Sequence, residues 1–151
     1  MLFIEVSFDM MGYSIAGVNE LLRLRPVPIH VQADEAEWVK RVTGAEDSDL
    51  VTHASGDVVL AGAVPIELIH TPGHALHHYC VVDREHELIF SGDTFGISYR
   101  DFDVDGREFI FPTTTPVHFD PQALCNSVDR LMSYAPRSIF LTHYAEVRDL
   151  P

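Results

Sequence analysis

"HTPGHALHH", residues 70–78, places four histidines in nine positions around a Thr-Pro-Gly turn. The stretch before it, "IELIH", is an apolar run with strand character that ends on imidazole. Two later segments repeat this layout. "ELIFSGD" runs from apolar residues into Asp93, and "SIFLTH" runs into His143. Divalent metals such as zinc, iron and manganese bind neutral imidazole and carboxylate, and they need these donors to converge. Strand ends deliver convergence when the strands are neighbours. One histidine after a strand is ordinarily a surface or capping residue; three strand-end donors in one chain point to a metal site. The expected ligands are therefore His74, Asp93 and His143.

The rest of the chain sets the bounds. With 151 residues it has the size of one domain, able to bury a core. Hydrophobic residues make up 46% and charged residues 22%, the balance of a soluble globular protein. The formal net charge is -13. Nucleic acids and anionic membranes need clustered Lys and Arg, so neither is an expected partner. A small-molecule substrate or a divalent cation suits the charge. The two cysteines, Cys80 and Cys125, lie in apolar segments with no close-spaced partner, as expected in a reducing compartment. No signal peptide or membrane-span pattern is visible, which makes the expected location cytoplasmic.

Outward from the histidine turn, α and β signals mix without repeats. "MLFIEV", "PIHVQ", the two halves of "GDVVLAGAVPIELIHT", "HHYCVVD", "HELIFSGDT" and "RSIFLTHY" read as strands. "DREH" reads as a hairpin turn. "SIAGVNELLRL" and "ADEAEWVKRVTG" carry helical spacing and end signals, and "GAEDSDL" reads as a solvated turn. "DPQALCNSVDRLMSYA" predicts a helix with Asp120 as N-cap and Pro121 in its first turn. Residues 94 to 118, broken by glycines and prolines, read as a long loop, and long loops in compact domains are often functional.

The series "HTPGH", "SGDTFG", "LTHY", with "TTTPVHFDP" between the last two, resembles the metallo-β-lactamase superfamily in its metal-dependent hydrolase branches, lactonase-like members above all. The resemblance covers about Ser14 to Tyr144. It implies an α/β (α+β) fold, an αββα sandwich with a dinuclear metal site at the edge of the two sheets. It makes His74 and His143 metal ligands and Asp93 the carboxylate that bridges both metals, and hence the catalytic residue. It gives His70 no ligand role; a structural hydrogen bond is the favoured reading. In the family a metal-activated hydroxide attacks an ester, lactone, thioester or amide carbonyl.

The sequence departs from the family at its start. The "HxHxDH" motif, source of most remaining ligands and of the aspartate base, is replaced by "FDMMGYSIAGVNELL". Asp9 stands there as a candidate ligand; Met11, Tyr13 and Ser14 are poor or unusual ones. The family's first strands are missing as well. Residues 1–151 therefore read as one incomplete metallo-β-lactamase-like domain. The expected cofactor is a divalent metal, zinc first, with iron or manganese as alternatives, at most one per chain around Asp93. His78 is a candidate for the metal or its supporting shell, since adjacent His77 must point to the opposite face of a strand. His118 and Tyr144 are candidates for the substrate pocket, and Phe95, Tyr99, Phe109 and Phe111 for its apolar wall. A metal-dependent hydrolase of reduced activity, a non-catalytic metal-binding relative and a di-iron oxidative or oxygen-sensing member all remain open. The uncovered sheet predicts a homo-oligomer pairing through the N-terminal segment.

Overall fold

The structure is a computed structural model that describes residue 20, residues 23–24, 28–114, 118–144, 146–148 and 150. The "MLFIEV" strand, Asp9 and most of the first expected helix lie outside the described residues. The elements in chain order are strand β1 (Ile29–Gln32), helix α1 (Ala36–Thr43), strands β2 (Leu50–His53), β3 (Val58–Ala61), β4 (Val64–His70), β5 (Tyr79–Asp83), β6 (Leu88–Phe90), β7 (Ile97–Ser98) and β8 (Ile110–Phe111), helix α2 (Pro121–Met132), and strands β9 (Ser138–Phe140) and β10 (Glu146–Val147).

Six strands form one sheet in the order β10-β9-β6-β5-β4-β3. β4 runs antiparallel to β5 and β5 antiparallel to β6, while β6 and β9 are parallel neighbours. The C-terminal ends of β4, β6 and β9 therefore all open on the same end of the sheet. That placement gathers the segments after His70, Phe90 and Phe140, which carry the three expected ligands.

The inward face is apolar by alternation. Ile69, Cys80, Val82, Ile89 and Ile139 project from successive strands, and Leu131 from α2 closes over them. Helix α2 begins as its sequence demands: the Asp120 carboxylate accepts from the N–H groups of Gln122 and Ala123, at 2.9 and 3.0 Å. The helix then rests on the histidine turn, where Ser127 Oγ, from its second turn, donates to the Pro72 carbonyl at 2.7 Å. Gly73 makes this seat fit. Its φ is +132°, and a Cβ there would lie 2.2 Å from the Leu124 backbone nitrogen.

A second, smaller core holds Ile29, Val31, Val39 and Ala45. Here β1 pairs in parallel with β2 across α1. The strand Leu50–His53 is absent from the sequence reading, because four residues of mixed exposure carry no clean alternation. The "GAEDSDL" turn is a short 3-10 turn leading into that strand. The described part of the expected loop, residues 94–114, is not structureless either. β7 and β8 pair antiparallel, so the segment is a hairpin with an irregular tip. Both strands are two residues long, too short for a periodic signal. The last expected strand spans only Ser138–Phe140, and β10 adds an antiparallel edge beyond the histidine.

Candidate metal centre

Asp93 follows β6 in a tight turn and is buried, with its side chain 5% exposed. His74 Nε2 lies 3.5 Å from Asp93 Oδ2, and His143 Nε2 lies 3.4 Å from Asp93 Oδ1. One carboxylate thus faces two imidazoles, one at each oxygen. A charge-assisted hydrogen bond would be nearer 2.8 Å. Two ligands sharing a tetrahedral metal at about 2.1 Å each would stand about 3.4 Å apart.

The tautomer of His74 sharpens the point. Its Nδ1 meets the Thr113 carbonyl at 3.3 Å, and a carbonyl only accepts, so that nitrogen carries the proton. In the neutral ring, Nε2 then turns its lone pair toward Asp93 Oδ2. Two lone pairs face each other at 3.5 Å, an arrangement favourable only with a proton or a cation between them. Among the described residues, Asp93 Oδ1 is buried and has no hydrogen-bond donor. An orphaned carboxylate oxygen is costly unless a cation meets it. These donors fit a divalent metal: His74 with Oδ2, His143 with Oδ1. Among the described residues, however, no group of three His, Cys, Asp or Glu side chains could hold a metal by itself.

The ring of His78 orients Asp93. It is 2% exposed, and its Nε2 accepts from the Asp93 backbone N–H at 3.0 Å. Its Nδ1 therefore carries the proton and donates to Thr71 Oγ1 at 2.8 Å or Thr94 Oγ1 at 2.9 Å. Thr113 Oγ1 in turn donates to the Asp93 carbonyl at 2.5 Å. The Asp93 backbone is thus fixed at both its N–H and its carbonyl.

The chain matches the family model described as "Metallo-beta-lactamase superfamily" over residues 15–143. The chain belongs to the metallo-beta-lactamase superfamily. Its fold agrees. The archaeal superfamily protein ST1585 from Sulfolobus tokodaii superposes with a TM-score of 0.69 at 20% identity, over 96% of this chain and 61% of that one. The Flv1 flavodiiron core from Synechocystis sp. PCC6803, a metal-soaked structure, gives 0.64 at 14% identity, over 90% of this chain and 37% of that one. A di-iron-bound form of TTHA1623 gives 0.61 at 21% identity, over 89% and 66%. In sequence, the Gallus gallus acyl-coenzyme A thioesterase MBLAC2 is 45% identical over 38 residues, which is 25% of this chain and 14% of that protein. The chain thus spans under two thirds of the first structural relative and matches a small part of the thioesterase. Members of the superfamily bind divalent metals, zinc or iron.

The remaining expected site residues fall as follows. His70 Nε2 bonds the Leu76 carbonyl at 2.6 Å and closes the histidine turn. His77 points away from His78 and stacks on Trp38 of α1, with ring centroids 5.6 Å apart. Burial lowers its pKa to about 4, with the neighbouring histidines adding to the effect. His118 is exposed. Tyr144 is also exposed, and its ring packs on Tyr99 with centroids 5.5 Å apart. Phe95 is packed against the main core instead of lining a pocket wall. Asp9 lies outside the described residues. Sequence reasoning missed the threonines, Thr71, Thr94 and Thr113. A hydroxyl's role depends on what the fold brings beside it, and no spacing in the chain announces that. No helix among the described residues is long and apolar enough to cross a membrane.

Proposed function

We propose that the chain is a metal-dependent hydrolase of small ester, lactone, thioester or amide substrates. The observation that carries this reading is the buried Asp93 carboxylate with an imidazole at each oxygen. A divalent metal bound there would polarise a carbonyl and lower the pKa of a coordinated water. The protein's part is orientation. His78 and Thr113 fix Asp93, and the Thr113 carbonyl fixes the tautomer of His74. His143 is partly exposed, so substrate approaches from its side while His74 and Asp93 close the inner wall. Among the carbonyl classes, similarity to the acyl-coenzyme A thioesterase supports a thioester. The competing reading, a non-catalytic metal-binding relative, is favoured by the lack of a three-donor group among the described residues.

The test loads the full chain with zinc, iron or manganese in turn. Metal content by elemental analysis and hydrolysis of acyl thioesters and lactones are then measured. The expected result is up to one metal per chain and a slow turnover, both lost in Asp93→Asn. Metal binding without any turnover would leave the non-catalytic reading. Turnover indifferent to Asp93 would overturn both.

A further inference from the structure

Beside the metal centre lies a strip of exposed aromatic rings. Tyr144, Tyr99, Phe102 and Phe109 follow one another with centroids 5.5, 6.1 and 5.5 Å apart. Each is exposed, Phe109 at 38% and Tyr144 at 64% marking the range. Single exposed apolar residues are ordinary; a contiguous row of rings on a soluble surface marks a contact site.

We infer that this strip binds the apolar acyl chain of the substrate, so that the preferred substrates carry medium or long acyl groups. The inference rests on the hydrolase reading above and names its substrate class.

The strip is continuous with the centre. Tyr144 directly follows His143. Ser98 N–H donates to the His143 carbonyl at 3.4 Å, and Gly96 N–H to the Asp93 carbonyl at 3.3 Å, tying the β7–β8 hairpin to two of the ligands. The other arm of the hairpin leads to Thr113, whose carbonyl bonds His74. A chain lying on the strip therefore has its head group next to Asp93. Tyr144 adopts φ +63°, the left-handed region that a bulky side chain seldom enters. That backbone turns its ring onto Tyr99. Strain of this kind recurs at ligand-binding positions. One cation on the hairpin is already neutralised: Arg100 pairs with Asp103 at 3.3 Å and Glu108 at 2.9 Å, and bonds the Glu146 carbonyl. The strip thus offers apolar contact without a free positive charge at Arg100. A row of rings is a track for an extended chain and not a socket for a compact group.

A chain covered on one side gains about twofold in affinity per methylene, half of full burial. Binding of butyrate and octanoate to the metal-loaded full chain, measured by calorimetry, tests the inference. Octanoate is expected to bind roughly tenfold tighter. Phe102→Ser and Tyr99→Ser should each reduce that preference several-fold, whereas Asp93→Asn should weaken both acids and keep more of the preference. Equal affinity for the two acids, or a preference untouched in both strip variants, overturns the inference. Sedimentation of the same samples supplies a second check. A dimer that dissociates in Phe102→Ser would show the strip to be a contact between copies, and the inference would fall. Chain-length preference without hydrolysis would remove the hydrolase reading and leave the strip standing; hydrolysis without chain-length preference would do the reverse.

Discussion

The backbone N–H of Asp93 donates to His78 Nε2 at 3.0 Å, so a histidine outside the three candidate ligands holds the residue whose carboxylate faces both His74 and His143. The bond also settles the protonation of the ring: Nε2 accepts, and Nδ1 donates to a threonine. His78→Ala removes an anchor of the Asp93 turn and strands buried hydroxyls. Metal affinity should fall about 10- to 100-fold, the usual cost of losing a supporting hydrogen bond. Stability should fall by about 1–3 kcal/mol. Competition with a chromophoric chelator reads the first, and urea unfolding of the metal-free chain reads the second. Unchanged metal affinity would mean that Asp93 is held by other contacts.

Gly73 joins the histidine turn to α2 by close backbone approach. Gly73→Ala puts a methyl group against the Leu124 backbone, 2.2 Å from its nitrogen, at a φ of +132°. Neither the helix backbone nor the turn can yield without disturbing the other. A loss of about 2 kcal/mol or more is expected from strain and overpacking together. Thermal unfolding should show a melting temperature lower by several degrees, and metal binding should weaken because His74 is the next residue. The same substitution at Gly44, where a Cβ meets nothing within 4 Å, carries only the φ penalty and should cost less.

His77 gives the protein an acid-sensitive contact. Its pKa is lowered from 6.5 to about 4, first by burial and then by His78, His74, His118 and His70. His30 is lowered too, by burial and then by His53, whose Nε2 lies 2.7 Å from its Nδ1. A lowered value in the folded chain means that the unfolded chain binds more protons below 6.5. Stability is therefore full above about pH 6.5, declines as the pH falls toward 4, and levels off below that for His77. Urea midpoints across this range should show the decline in the metal-free protein, and His77→Asn should flatten part of it. A His77→Asn profile parallel to that of the parent would place the acid sensitivity elsewhere.

The outer strand β3 predicts association. It lies at one edge of the six-stranded sheet, and Val58 and Leu60 on one of its faces are 61% and 60% exposed. Among the described residues no strand pairs with its outer side. An open apolar edge favours pairing with another chain. We propose a homo-oligomer in which this edge takes part, and Leu60→Lys should shift it toward monomer. Light scattering over a dilution series checks both statements. A monomeric parent chain would refute them.

The sequence alone determined that a strand runs toward each of His74, Asp93 and His143, the cap of α2 at Asp120, and the superfamily. All of these rest on local chemistry: alternation within a strand, a carboxylate before a proline at a helix start, and motifs of contiguous residues. Only the tertiary structure decided that β4, β6 and β9 point the same way, because strand direction is fixed by pairing across the sheet. It alone decided the threonine partners of His78 and the split of His74 and His143 between the two oxygens of Asp93. The β7–β8 hairpin was hidden for a related reason, although Tyr99, Phe109 and Tyr144 were legible as pocket candidates. Two-residue strands have no period to read, and the rings of Tyr144, Tyr99, Phe102 and Phe109 form one row in a hairpin tied by hydrogen bonds to the carbonyls of Asp93 and His143.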